Sequence, residues 1–197
     1  MPLGAFKAAL MGTAGATAEG DVVLLHDTDY SNASAAAITS GINSTYGEYI
    51  FKFYNLNPAT DGATFNFNGS IDGGSNYNVT KTTSVFRHIQ DETDGDQKIQ
   101  YLSGLDHQQG TGYQVLMEDI GNGADESGVG ELHLFNPSST TYVKQFYANT
   151  HVYHSGNHAV GFVTGGYFND ADDNIDAVNF QMSSGNFDGT IKMWGVK

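Results

Sequence analysis

Apolar and polar residues alternate in short segments along most of this chain, and the alternation limits the folds open to it. In GEYIFKFYNLNP, the side chains of Tyr49, Phe51 and Phe53 fall on one side of the segment. Those of Glu48 and Lys52 fall on the other. A period of two is the period of a β-strand, because successive side chains of a strand point to opposite faces. The segment therefore predicts a strand with one buried face.

Similar segments recur along the chain, separated by turns rich in glycine, asparagine and aspartate. The candidates are DVVLLHD, GEYIFKFYNLNP, TFNFNGS, KTTSVFRHI, KIQYLSG, GYQVLMEDI, ELHLFNP, YVKQFYANTHVY, AVGFVTGGYF, IDAVNFQM and FDGTIKMWGV. Residues 30–42 fit either a short helix or a loop. About ten short strands with turn residues between them predict an all-β domain over residues 21–197, built as an antiparallel β-sandwich or a barrel.

The closing segment, IDAVNFQMSSGNFDGTIKMWGVK, has the pattern of a β-hairpin with a turn at SSGN. Three side chains of its first strand are expected in the core: Val178, Phe180 and Met182. On the second strand, Ile191 and Met193 lie on one face. Trp194 and Val196 lie on the other. We therefore expect both faces of this strand to be covered, by the opposing sheet and by a neighbouring molecule or the N-terminal arm.

Residues 1–20 have a different character from the rest of the chain. Leu3, Phe6 and Leu10 have the spacing of one side of a short helix, and a run of small residues follows. Ten residues cannot bury an apolar stripe alone, so two interpretations stay open: a frayed terminus, or an arm that docks on another subunit. The apolar run of residues 8–11 is too short for a signal peptide.

The charge of the chain is strongly one-sided. Asp and Glu number 22 against 8 Lys and Arg, which gives a net charge of −14, and Arg87 is the single arginine. Binding to nucleic acid or to an anionic membrane needs clustered basic residues, so neither is expected as a partner. The absence of cysteine excludes disulfides and thiolate metal sites, and it fits assembly in a reducing cytoplasm.

One acidic loop has the spacing of a calcium site. Oxygen side chains alternate at Asp170, Asp172, Asn174 and Asp176, as they do where a loop wraps Ca²⁺. Ile175 stands where the turn glycine of an EF-hand would be, and Gln181 stands in place of its closing glutamate, so an EF-hand is excluded. A looser Ca²⁺ site remains open, although a solvated acidic turn is the favoured interpretation. The same two interpretations apply to the acidic loop 91–96. No other cofactor is expected.

Three histidines, His151, His154 and His158, lie close together in sequence. Residues three apart on a strand point to opposite faces, so His151 and His154 cannot chelate one metal ion without a turn between them. His26 precedes an aspartate, but no nucleophile motif accompanies the pair. We therefore interpret these histidines as polar loop or surface residues.

Glycoside hydrolysis is an activity that β-sandwiches can host. It needs two carboxyl groups flanking the scissile bond. The carboxylates of Glu118, Asp119 and Glu131 have no partner two or four residues away on the same strand. The chain is therefore expected not to be an enzyme.

Glycan binding without catalysis is a stronger possibility. Aromatic faces stack on sugar rings, and short amides and carboxylates recognise hydroxyl groups. Tyr113, Tyr153 and Tyr167 are the candidate stacking residues. Trp194 is a further aromatic residue that could stack on a sugar, but we interpret it as a core or interface residue.

Several short motifs between residue 45 and the last residue resemble a known family. They are YIFKFYNLNP at 49–58, DGGSNY at 72–77, GELHLFNP at 130–137, and the closing SGNFDGTIKMWGV. Together they resemble the jelly-roll, lectin-like domains of virion structural proteins from tailed bacteriophages, marine phages among them. Trp194 departs from the pattern, since tyrosine is more usual there, and residues 1–44 match nothing in it.

The resemblance implies a jelly-roll fold and a structural or adsorption role, without enzymatic activity. It implies assembly as a trimer or higher oligomer with other virion proteins, as a head decoration or tail-appendage subunit on the particle surface. The acidic charge agrees with an exterior position, because the interior is filled with DNA. Two alternatives stay open: a lectin or adhesin module for host-surface glycan, and a jelly-roll glycoside hydrolase.

Overall fold

The computed structural model describes residues 21–169 and 172–197, and these residues form an all-β protein. The twelve strands are β1 (Val22–Ala33), β2 (Ala36–Ile38), β3 (Glu48–Pro58), β4 (Ala63–Ser70), β5 (Lys81–Asp91), β6 (Gln97–Tyr101), β7 (Gln114–Ile120), β8 (Gly128–Phe135), β9 (Lys144–His154), β10 (His158–Phe168), β11 (Ala177–Met182) and β12 (Phe187–Val196). No helix is present in either described range, and hence none that could span a membrane. The predicted class is confirmed, with twelve strands where about ten were expected.

Eight of the strands form a jelly roll. One layer has the order β1-β12-β3-β8 and the other has the order β2-β11-β4-β7, with all neighbours antiparallel. The chain changes layer at every connection between consecutive strands except β5–β6, β8–β9 and β9–β10. Such repeated crossing wraps a double-stranded ribbon around one core, which is how a jelly roll is built.

The other four strands widen the first layer. β9 pairs with β8, β10 with β9, β5 with β10, and β6 with β5, so the layer becomes an eight-stranded sheet. One bridge, Ile120 with His154, joins β7 of the small sheet to β9 and partly closes that side of the sandwich. Two hairpins, inserted at different points of the chain, therefore extend one side of the molecule and leave the small sheet unchanged.

The core between the sheets is aromatic. Phe180 of the small sheet lies 5.5 Å from Phe51 and 5.2 Å from Phe53 of the large sheet, measured between ring centroids. Phe67 lies 5.0 Å from Phe146 in the extension. Tilted and edge-on rings at these separations add to the burial of apolar area. The inward side of β3 is buried as the alternation predicted.

The predicted closing hairpin is wrong. β11 pairs with β4 and β2, whereas β12 pairs with β1 and β3, so the two strands belong to different sheets. The SSGN segment crosses the sandwich and does not reverse a ribbon. Burial was predicted correctly, and the following are buried: Val178, Phe180, Met182, Ile191 and Met193. Alternation fixed the inward side of each strand, but it carries no information about which strand lies alongside.

Residues 30–42, which fitted a helix or a loop, contain strand structure. β1 continues to Ala33 because its second half pairs with β12, and Ala36 and Ile38 of β2 are buried against β11. Small alanines give no strand signal of their own, and the pairing decides the conformation. The candidate arm residues Leu3, Phe6 and Leu10 lie outside the described residues.

Candidate functional site: the outer face of the large sheet

The outward side of the eight-stranded sheet carries an unusual set of side chains. Trp194 of β12 stands between Leu24 of β1 and Ile50 of β3. Farther across the sheet, Val163 of β10 is paired with Phe86 of β5. These positions alternate with the buried core residues of the same strands. Both sides of these strands are therefore apolar, although only one faces the core.

The exposed large apolar residues of the described chain are concentrated on this surface. Nine of eleven lie there, which we call the apolar face: Val22, Leu24, Tyr54, Phe86, Ile99, Tyr101, Val129, Tyr147 and Val163. Only Ile71 and Tyr142 lie elsewhere. Single exposed apolar residues are ordinary, but a concentration on one surface marks an interaction site.

Charge is nearly absent from half of the apolar face. The outward positions of β9, β10, β5 and β6 hold no Asp, Glu, Lys or Arg, although the chain carries a net charge of −14. Arg87 points the other way, to Glu118, at 3.3 Å. Burial raises the pKa of Glu118, and Arg87 opposes that shift. Depletion of charge in the centre of a surface is typical of protein interfaces.

On the other half, the basic residues of the face are paired within it. Lys192 Nζ lies 2.9 Å from Asp27 of the neighbouring strand. Lys52 Nζ lies 3.5 Å from Glu131. These exposed pairs add little stability, but they offset two of the carboxylates on this half of the apolar face.

A groove of about 420 Å³ opens at one corner of the apolar face. Ala159 of β10 forms part of its floor, because this small residue lies between Tyr153 of β9 and Gln90 of β5. Val129 and His151 line the side toward the apolar face. The depression thus follows from one small side chain between two rows of larger ones. We call it the corner groove.

The next residue along β10 on the same face is Gly161. A Cβ atom at this position would overlap the imidazole of His88, so the absence of a side chain lets His88 lie across the strand. His88 and His151 have ring centroids 6.4 Å apart. Burial lowers the pKa of His151, and the charge of His88 lowers it further.

The rim of the corner groove is polar and acidic. Tyr153 donates its hydroxyl to Glu92 Oε1 at 2.9 Å, and this bond raises the pKa of the tyrosine. Asp91 and His158 are further polar residues of this rim. The pKa of Asp91 is lowered, chiefly by its hydrogen bond from Thr93. Among the residues that the structure describes, no lysine or arginine lines the groove.

The three tyrosines proposed for sugar binding do not form one site. Tyr153 lines the corner groove, whereas Tyr167 lies eight residues along β10 from Ala159, roughly 26 Å away at the rise of a strand. Tyr113 accepts a hydrogen bond from Asn179 of the small sheet at 2.8 Å. Alternation selects residues of one face, but it does not show how far apart they lie on it.

The proposed calcium loop is only partly described, because Asp170 lies outside the described residues. Asp172 and Asn174 are exposed. The carboxylate of Asp176 accepts a hydrogen bond from the backbone N–H of Gly73, at 3.0 and 3.1 Å from its two oxygens, so it holds a neighbouring turn. In the part of the chain that the structure describes, no cluster of three His, Asp or Glu side chains could hold a metal ion.

The apolar face and the corner groove were both missed by sequence reasoning. The outward residues Ile50, Phe86 and Val163 were visible as apolar positions on the polar side of their strands. The sequence could have flagged them one by one, but only the pairing of β3, β8, β9, β10 and β5 in that order brings them onto one face. Comparison with protein-family models, with curated proteins and with solved structures found no match for this chain.

Proposed function

We propose that this chain is a non-enzymatic structural subunit on the exterior of a bacteriophage particle, and that its copies associate through the apolar face. The observation that carries the proposal is the exposure of nine large apolar residues on one face of a chain with a net charge of −14. A surface of this kind is costly to leave in water, and assembly with another protein surface would remove that cost.

The charge pattern favours another copy of the same chain as the partner that binds the apolar face. Two molecules of charge −14 repel one another through most of their surfaces. The half of the apolar face on β9, β10, β5 and β6 is without charged residues, so two copies can meet there without opposing their own carboxylates. The paired Lys52 and Lys192 limit repulsion on the other half.

The size of the face is sufficient for a stable contact. Eight strands span roughly 34 Å, and seven residues along a strand span roughly 24 Å. The resulting area of roughly 800 Å² is about what each partner contributes to a standard interface. A jelly roll with acidic outer loops, and the resemblance of its motifs to virion proteins, support a place on the outside of a particle.

Self-association is tested by sedimentation of the full chain and of two variants, Leu24→Asp and Phe86→Asp. We expect an oligomer in the wild type and an association at least about tenfold weaker in each variant, because a carboxylate would be buried at the contact. Ile71→Asp and Tyr142→Asp are matched controls at exposed apolar residues away from the face. A monomeric wild type, or equal dissociation of the controls, would contradict the proposal.

Position on the particle needs a separate experiment. Antibodies raised against the recombinant protein are applied to purified phage particles that encode it, before and after the particles are opened. We expect labelling of intact particles. Labelling only after opening, or no association of the protein with particles, would overturn the exterior role.

A further inference from the structure

We infer that the corner groove binds a neutral saccharide of one or two rings. This inference goes beyond the proposed structural role and does not rest on it. The groove shares Val129 with the apolar face, so sugar binding is measured on dilute, dissociated subunits. It depends on the shape, the lining and the charge of the groove.

The apolar part of the groove suits the C–H face of a pyranose. Val129 and the methyl group of Ala159 provide a small aliphatic surface, and Tyr153 supplies an aromatic ring beside it. The hydrogen bond from the Tyr153 hydroxyl to Glu92, at 2.9 Å, fixes the outer end of that ring. A ring held in place loses little conformational freedom when it stacks on a ligand.

The polar part of the groove suits hydroxyl groups. Carboxylates at Asp91 and Glu92 accept hydrogen bonds. The Gln90 amide oxygen accepts as well, while its N–H groups are donated to Asp91 and Asp94. The exposed imidazole of His151 can donate or accept. Gln90, Asp91 and Glu92 stand on one rim, across from Val129, whereas His151 lies beside Val129. A ligand with an apolar face and a polar edge matches this division, whereas a purely apolar ligand would leave the rim unpaired.

The charge of the groove excludes anionic sugars and phosphates. Two carboxylates stand on the rim, its described lining contains no lysine or arginine, and Asp125 and Glu126 act on Tyr153 from nearby. A sialylated or phosphorylated ligand would face like charge in a partly desolvated site. The volume, about 420 Å³, is in the lower part of the range of small-molecule sites, roughly 300–1,000 Å³. It suits one or two rings and not a long chain.

The test is the binding of defined sugars to the full chain, measured by ligand-observed NMR and by calorimetry. The neutral probes are maltose, lactose and diacetylchitobiose, with sialyllactose as the anionic counterpart of lactose and spermidine as a cationic probe. We expect saturable binding of at least one neutral probe and at least about tenfold weaker binding of sialyllactose than of lactose. No saccharide binding, or binding of spermidine alone, would overturn the inference.

Two variants show whether the corner groove is the site. Ala159→Phe fills the floor at an exposed strand position, and we expect it to weaken sugar binding at least about tenfold. Ala37→Phe makes the same change at an exposed position of β2 and should bind as the wild type does. Unfolding curves check that both variants are folded. Unchanged binding in a folded Ala159→Phe protein would place the sugar elsewhere and refute the inference.

The outcomes separate this inference from the proposed function. A chain that assembles on particles but binds none of the sugars refutes only the saccharide site. A chain that binds sugar through the corner groove but stays monomeric and off the particle refutes only the structural role.

Discussion

The outer faces of the two sheets are opposites in chemistry and in exposure. The outward side of the small sheet is lined with amides, and Asn66, Asn68 and Asn179 are buried there. The outward side of the large sheet is apolar, and residues such as Ile99, which is 83% exposed, face solvent. Polar side chains are thus covered and apolar ones uncovered, which reverses the usual arrangement.

Loops account for the difference. The segments before β5 and before β7 fold back over the small sheet, and Asn68 donates its amide to the carbonyls of Tyr77, Thr111 and Gly112 at 2.7, 3.0 and 3.4 Å. The large sheet has no such cover among the described residues. Amides can therefore lie on a buried face where backbone carbonyls meet them, while an apolar face stays open where another molecule is to bind.

The largest expected effect on stability is at the outward face of the small sheet, which the loops cover. Asn68→Ala removes the partner of three loop carbonyls and leaves buried polar groups unsatisfied, so we expect the free energy of unfolding to fall by about 3 kcal/mol. Urea unfolding monitored by fluorescence measures it. Asn149→Ala is the matched control on the exposed face and should change stability by less than about 0.5 kcal/mol. A loss below about 1 kcal/mol for Asn68→Ala would show that the loops do not depend on this side chain.

A buried cation, Lys81, lies under the same loops. Lys81 is fully buried and donates Nζ to the carbonyls of Val79 and Gly112, at 3.2 and 2.5 Å. Burial lowers its pKa from 10.5 to about 8. The folded state therefore binds fewer protons than the unfolded state between these values, so stability should rise as pH rises through that window.

Replacing the lysine removes this contribution. We expect Lys81→Met to reduce the pH slope of stability between pH 8 and 10 by up to about 1.4 kcal/mol per pH unit. Between pH 6 and 7, where Lys81 is protonated in both states, the slopes of the two proteins should coincide. Equal slopes above pH 8 would mean that the lysine is not desolvated.

A smaller effect on stability is expected at Asp72, in the turn that begins the loop over the small sheet. Asp72 accepts hydrogen bonds from the side chain and backbone of Asn76 at 2.6 and 2.9 Å, and from Ser70 Oγ at 2.7 Å. Those from Asn76 chiefly lower its pKa from 3.8 to about 2. This contribution is present above pH 4 and is lost as pH falls toward 2. Asp72→Asn should lower the melting temperature at pH 7. It should also make the melting temperature fall less steeply as the pH is lowered from 4 to 2. An unaltered acid profile would contradict this.

The smallest expected effect on stability is at the uncovered face. Leu24→Ser and Ile99→Ser change side chains that are already exposed, so each should alter the free energy of unfolding of the isolated subunit by less than about 0.5 kcal/mol. Dilute samples, in which subunits are dissociated, are used for the chemical unfolding. A loss above about 1 kcal/mol in either variant would mean that these residues are covered by the chain itself.

Much of the fold could be predicted from the sequence, and little of the site. The strand positions and the inward residues of β3, β11 and β12 follow from alternation, because one face of each is dry. The pairing of β11 with β4 and β2 could not be predicted, since SSGN is equally compatible with a hairpin and with a crossing between sheets. Tyr153 was selected as a sugar-binding residue, and Ala159 faces it across the short turn between β9 and β10, but Gln90 comes from β5, a segment with no local connection to that hairpin.

The sequence by itself determined that this protein is an antiparallel all-β domain with an aromatic core and an acidic surface, because these properties depend on local period and composition. Only the tertiary structure decided which strands are neighbours. That choice is made by long-range burial and hydrogen bonding between segments far apart in the chain. It places Phe86, Val163 and Trp194 on one open face, covers the amides of the small sheet, and forms the corner groove where β5 pairs with the distant β9–β10 hairpin.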